Sequence, residues 1–142
     1  MLRLWLILAG IALGGLGLAQ QRITIDFWHS MGGVLGEATE ALVKDFNAAQ
    51  NRVTVRSQFV GSYDDGLNKL RAALQAGGQG RPNVIQVYDI GARFMADSGA
   101  VLPLEDLARA NNFDLSQFVP QPRNYYTVDG KLYGLAFNSS NP

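Results

Sequence analysis

The 142-residue chain has no cysteine, one histidine and no excess of charge of either sign, with twelve lysines and arginines against twelve aspartates and glutamates. Without cysteine there is no disulfide, no thiolate metal site and no lipid-bearing cysteine at a processed terminus, so stability has to come from an ordinary core. One histidine among scattered carboxylates offers no ligand spacing that zinc would recognise, and no metal or cofactor is expected. Balanced charge argues against nucleic acid or a polybasic membrane contact as the main partner. Past residue 20 there is no long apolar run, and the length allows one domain at most.

What is present begins with MLRLWLILAGIALGGLGLAQ, an arginine near the start followed by an apolar run and the small residues Gly17-Leu18-Ala19. A short basic start, a hydrophobic middle and small residues before the cut are what signal peptidase requires, so residues 1–19 read as a secretory signal cut after Ala19. The competing reading, a membrane anchor, is weakened because Leu4 to Ala19 falls short of the ~20 residues that span a bilayer and is interrupted by glycine. The mature chain, residues 20–142, is then expected to be soluble in the periplasm or another extracytoplasmic space.

Ile23-Thr24-Ile25-Asp26-Phe27-Trp28 alternates apolar and polar residues and predicts a strand that delivers Trp28, His29 and Ser30 at its carboxyl end. After Gly32-Gly33, the residues Leu35, Ala38, Leu42 and Phe46 recur at helical spacing. Val53, Val55 and Phe59 predict a second strand, and Ser62-Tyr63-Asp64-Asp65 has the form of a capping box ahead of a helix carrying Leu67, Leu70 and Leu74. Val84 to Tyr88 is a mostly apolar run suited to a strand covered on both faces, with Asp89 at its end. Short helices are expected over 90–97 and 104–110. Two strands, 125–128 and 131–137, are expected around the turn Asp129-Gly130.

Strand, helix, strand, helix, strand predicts an α/β fold with a mostly parallel central sheet flanked by helices. In such sheets ligands bind beyond the carboxyl ends of the strands. That edge gathers Trp28 to Ser30, Gly61 to Tyr63 and Tyr88-Asp89, and adds Asn138 to Ser140 if the last strand runs in the same sense. Aromatic faces, an acceptor-only carboxylate and hydroxyl groups suit the binding of a polar small molecule. A secreted hydrolase using a serine, His29 and Asp89 is the alternative, but no G-x-S-x-G elbow occurs. On the plainest structural reading, Trp28 and His29 merely end the strand and pack on the first helix.

The strings FWHSMGG, GSYDDGLNKL, VIQVYDIGARFMADSGAVLPLEDL, SQFVP and FNSSNP, in this order and at these separations, closely resemble the amino-terminal part of the periplasmic sn-glycerol-3-phosphate-binding proteins. These are substrate-binding components of ABC importers, within the extracellular solute-binding family 1 that includes maltose-binding proteins. The resemblance implies a periplasmic-binding-protein-like lobe, capture of sn-glycerol 3-phosphate or a glycerophosphodiester, delivery to membrane permease subunits, and no catalysis. A sugar or oligosaccharide is the alternative cargo. Carried over by motif, the ligand contacts fall on Tyr63, Asp89 and Ser140, with Trp28, His29, Ser30 and Ser139 lining the cleft. Where the family usually has glutamate this chain has Asp89, one methylene shorter, so the ligand sits closer to the sheet edge or a water fills the gap. Family members have two lobes, and the sequence stops about where the chain would cross into the second, so the lobe is expected to be incomplete and to bind weakly or not at all alone.

Overall fold

The computed structural model describes residues 22–138. The expected signal at residues 1–19 lies outside them. The first strand, β1 (Ile23–His29), occupies the middle of a three-stranded parallel sheet between β2 (Val53–Phe59) and β3 (Val84–Ile85). Its register runs from Ile23 opposite Val53 to His29 opposite Phe59, while Phe27 and Trp28 face Val84 and Ile85 on the other side. Parallel neighbours need crossovers, and these are α1 (Gly33–Ala49) and α2 (Tyr63–Gln75).

Alternation along β1 sorts its side chains between two faces. Trp28 enters the core with Leu67 and Leu70 of α2 and Met95 of α3 (Gly91–Asp97), flanked by Val60, Leu74, Ile85, Val87 and Phe94. Phe27 and His29 point the other way, with ring centroids 5.6 Å apart, and His29 also meets Phe59 at 6.1 Å.

The capping box forms as the sequence predicts. Ser62 Oγ accepts from Asp65 N–H at 3.2 Å, and Asp65 Oδ2 accepts from Ser62 N–H at 2.9 Å and from its hydroxyl at 2.7 Å. The Ser62 hydroxyl, and after it the Ser62 N–H, hold the Asp65 carboxyl below the usual aspartate range. A lowered folded-state pKa contributes stability that is present above the unfolded value and lost as pH falls through the lowered one. Ser62→Ala should therefore lower the thermal midpoint by about 5 °C at neutral pH and flatten the acid side of the stability profile. Melts between pH 2 and 7 check this, and an unchanged acid limb would refute it.

The helix α1 departs from expectation. Leu35, Ala38, Leu42 and Phe46, the residues whose helical spacing marks it, are all exposed; Leu42 keeps 61 % of its surface in water. Thr39 is buried instead, with Val43 and Asn47 half-buried beside it. The reason lies in side-chain amides. Asn47 Nδ2 donates to Val55 O and its Oδ1 accepts from Val55 N–H, at 2.9 and 2.8 Å, and Gln50 does the same for Val53 at 2.7 and 2.8 Å. Together they satisfy the backbone groups of Val53 and Val55 on the outer edge of β2, which would otherwise be open to pairing, and this favours the face of α1 that carries Asn47.

Two further expectations change. The ladder of β3 ends at Ile85 rather than Tyr88, although the Gln86 N–H still donates to Trp28 O at 2.8 Å. Tyr125 belongs to a short helix, α5 (Pro120–Tyr125), that follows α4 (Leu104–Ala110). The hairpin shrinks to β4 (Thr127–Val128) and β5 (Lys131–Leu132), an antiparallel pair separate from the main sheet. Its turn is as read, with positive φ at both Asp129 and Gly130, the geometry a two-residue type I′ turn demands. Residues 133–138 form no strand, so Asn138 does not reach the sheet edge as part of a ladder.

Candidate functional site

The turn after β2 and the turn after β3 bring Tyr63, the first residue of α2, against Tyr88, with ring centroids 5.6 Å apart and planes tilted by 32°. The Tyr88 hydroxyl donates to Asp64 Oδ1 at 2.8 Å, which locks the second ring. Asp89 stands exposed next to this pair, with its Oδ1 accepting from Ile90 N–H at 2.9 Å.

Tyr126, at the end of α5, joins the same group. Its phenol is held above the ordinary tyrosine range, first by burial and then by the negative charge of Asp89 and the proximity of Tyr63. The sequence did not mark it, because the apolar-looking Tyr125 to Val128 reads as a strand. Tyr88 is also raised, chiefly through its bond to the Asp64 carboxylate. For both phenols the sign is the same: the contribution to stability is present below the unfolded pKa and lost as pH rises through the raised folded value. Absorbance titration at alkaline pH should place both ionisations above that of free tyrosine. Asp64→Asn should bring Tyr88 down, and Asp89→Asn should do the same for Tyr126. Ordinary titration of both phenols in the unsubstituted chain would contradict this arrangement.

Other expected residues are placed differently. Trp28 is 5 % exposed and His29 only 1 %, so neither presents more than an edge to solvent. They are the last two residues of β1, covered on opposite faces by α2 and α1. The Trp28 ring also carries Lys69 Nζ at 4.3 Å from its centroid. His29 Nδ1 accepts from Met31 N–H at 3.3 Å, which leaves the ring hydrogen on Nε2, 3.4 Å from Glu40 Oε1. Glu40 Oε2 meanwhile accepts from the Ser57 hydroxyl at 2.7 Å. The carboxylate thus stands between serine and imidazole, the wrong order for a base that must take the hydroxyl proton.

Ser30 is half-buried; its N–H donates to Gln86 Oε1 at 2.9 Å, and its Oγ has no hydrogen-bond partner among the described residues. Ser139 and Ser140 lie outside the described residues. Asn138 precedes them, and its Oδ1 accepts from Gln86 Nε2 at 2.8 Å. An open hollow of about 310 Å³ is lined by Asp26, Trp28, Arg56, Ser57, Gln58 and Gly80. Arg56 and Asp26 neutralise each other there through two bonds of 2.8 and 2.9 Å, and none of the tyrosines contributes, so the tyrosine and carboxylate edge is the stronger candidate. No group of three His, Cys, Asp or Glu residues among the described residues is set to hold a metal ion.

Residues 41–142 match the profile of the bacterial extracellular solute-binding proteins. The chain belongs to this family. It is 38% identical over 137 residues to the sn-glycerol-3-phosphate-binding periplasmic protein UgpB of Escherichia coli K12, a match that covers 94% of this chain and 30% of that protein. The protein of the same name from Salmonella typhimurium LT2 is 37% identical over 136 residues, covering 93% and 31%. The chain therefore spans about 30% of the length of these relatives. Among solved structures, CpMnBP1 with mannobiose bound superposes with a TM-score of 0.68 at 25% identity, over 81% of this chain and 29% of that one. The GacH receptor of Streptomyces glaucescens gives 0.69 at 22% identity, with the same coverage, and shares the fold. Solute-binding family members of this kind are binding proteins of ABC importers, and the parallel sheet flanked by helices is their architecture.

Proposed function

We propose that this chain supplies the ligand-gripping lobe of an extracytoplasmic solute-binding protein that captures sn-glycerol 3-phosphate or a glycerophosphodiester and hands it to the permease subunits of an ABC importer. The observation that carries this reading is the Tyr63–Tyr88 ring pair beside the exposed Asp89, beyond the carboxyl ends of β2 and β3. A carboxylate repels phosphate, so Asp89 faces the glycerol hydroxyls, while Tyr63 and backbone N–H groups face the phosphate, a role the resemblance also gives to Ser140. Export through the signal at residues 1–19 puts the chain where such a ligand is met. A receptor that must release its cargo unaltered has no use for a nucleophile, in keeping with the Glu40 carboxylate that separates His29 from Ser57.

A sugar is the second reading, favoured by one specific feature. Asp64 brings a second carboxylate to the edge through the Tyr88 hydroxyl, and paired acceptors next to stacked rings suit a polyol more than an anion. Calorimetric titration with sn-glycerol 3-phosphate, a glycerophosphodiester and mannobiose separates the two. Asp89→Ala should weaken the preferred ligand by about 10–100-fold, the effect of losing hydrogen bonds to a charged acceptor. The fold should persist, because Asp89 is exposed. Equal affinity in the variant would remove Asp89 from the site, and tighter binding of mannobiose than of glycerol phosphate would reverse the order of the two readings.

A further inference from the structure

Gln86 is the first residue past β3 and is 8 % exposed. Its backbone N–H still donates to Trp28 O at 2.8 Å, so the main chain is fixed against β1 where the side chain departs. The side-chain amide then joins two segments distant in sequence, with Oε1 taking the Ser30 N–H and Nε2 donating to Asn138 Oδ1. Its orientation is determined: a backbone N–H can only donate, so the oxygen must face Ser30 and the nitrogen must face Asn138.

Ser30 opens the loop after β1, and Asn138 leads directly into Ser139 and Ser140. We propose that Gln86 is a positioning residue for the ligand edge, its carboxamide coupling the loop after β1 to the segment that enters Ser139, so that these two stretches hold a common placement. The role in ligand capture rests on the function proposed above, whereas the coupling follows from the hydrogen bonds themselves. A carboxamide is suited to it because one end accepts and the other donates; methionine, of similar length, does neither. Near-burial makes the bonds consequential, since a backbone N–H left unpaired costs more than the bond it loses. Phe137 also touches Phe27 edge-on, with centroids 6.0 Å apart, and keeps the segment near the sheet when the Asn138 bond is cut.

The test is residue-resolved amide hydrogen exchange on the full chain. Gln86→Met and Asn138→Ala should each speed Ser30 exchange by about tenfold. Asn138 is exposed, so its variant keeps the test decisive if Gln86→Met fails to fold. Asn47→Ala is the control: it removes an equivalent pair of amide bonds, those to Val55, at the outer edge of β2, and should leave Ser30 exchange within roughly twofold. Unchanged Ser30 exchange in Asn138→Ala overturns the coupling. Equal acceleration in Asn47→Ala also overturns it, because Ser30 would then report only global stability. Titration of sn-glycerol 3-phosphate into the same chains should show weaker binding in Asn138→Ala and none of that loss in Asn47→Ala. Where the unsubstituted chain does not bind, as expected of one lobe by itself, the exchange result alone decides the role of Gln86.

Discussion

Trp28→Ala should unfold this lobe or bring it close to unfolding. Trp28 is a buried member of the apolar cluster, touching the group formed by Leu67, Leu70 and Met95, and removing so large a ring costs about 3–5 kcal/mol. Single domains hold only about 5–15 kcal/mol, so the loss takes a large share of the total. Trp28 is also the only tryptophan beyond residue 19, which makes its emission a direct report on this core. In the native chain that emission should be blue-shifted and should move to the red on melting. Circular dichroism melts of Trp28→Ala against Trp28→Phe check the claim, with phenylalanine recovering part of the loss. A midpoint within about 3 °C of the parent for Trp28→Ala would show that the indole is not a keystone of the packing.

The second large effect concerns α1. Val34, Leu35, Leu42 and Phe46 leave 78, 60, 61 and 49 % of their surfaces in water, and contiguous apolar surface of this kind drives association. The full chain should therefore self-associate at micromolar concentrations and bind a hydrophobic dye. Leu42→Glu combined with Phe46→Glu should reduce dye emission several-fold and shift the mass in light scattering to that of a monomer. The helix itself should survive, because Thr39, Val43 and Asn47, on the stripe about a quarter-turn round the helix, make its contacts. An unchanged distribution of masses would mean that another surface is the adhesive one.

The same helix shows where sequence reasoning stops. Periodicity located α1 correctly, but it could not say that amide groups rather than leucines would choose the packed face, since the need arises from the unpaired edge of β2. The strands β1 and β2, the capping box of α2, the turn at Asp129-Gly130 and the helix over 104–110 were all legible, because each depends on neighbours close in sequence. That Tyr63, Tyr88 and Asp89 meet at one edge was legible as well, since each lies just past the carboxyl end of a strand. Tyr126 was not, because its place depends on α5, a helix that begins at Pro120 where proline costs nothing. For Trp28 and His29 a lining and a packed position were both legible, and the packed one is seen: β1 runs one residue further than its alternation shows, and both side chains fall within reach of helices on either face. Gln86 carried no local signal at all, since its partners lie at Ser30 and Asn138.

The central position of β1 has a bearing on how the chain comes into being. Its two sheet partners come from residues 53–59 and 84–85, both downstream. A chain that emerges from the ribosome in order releases β1 first and leaves it with no neighbour on one side until residue 59 and on the other until residue 85 have appeared. Through that interval Ile25, Phe27 and Trp28 stay available to a chaperone, and the leading end cannot settle before the trailing one arrives. The order of strands thus delays completion of the sheet until residue 85 has appeared.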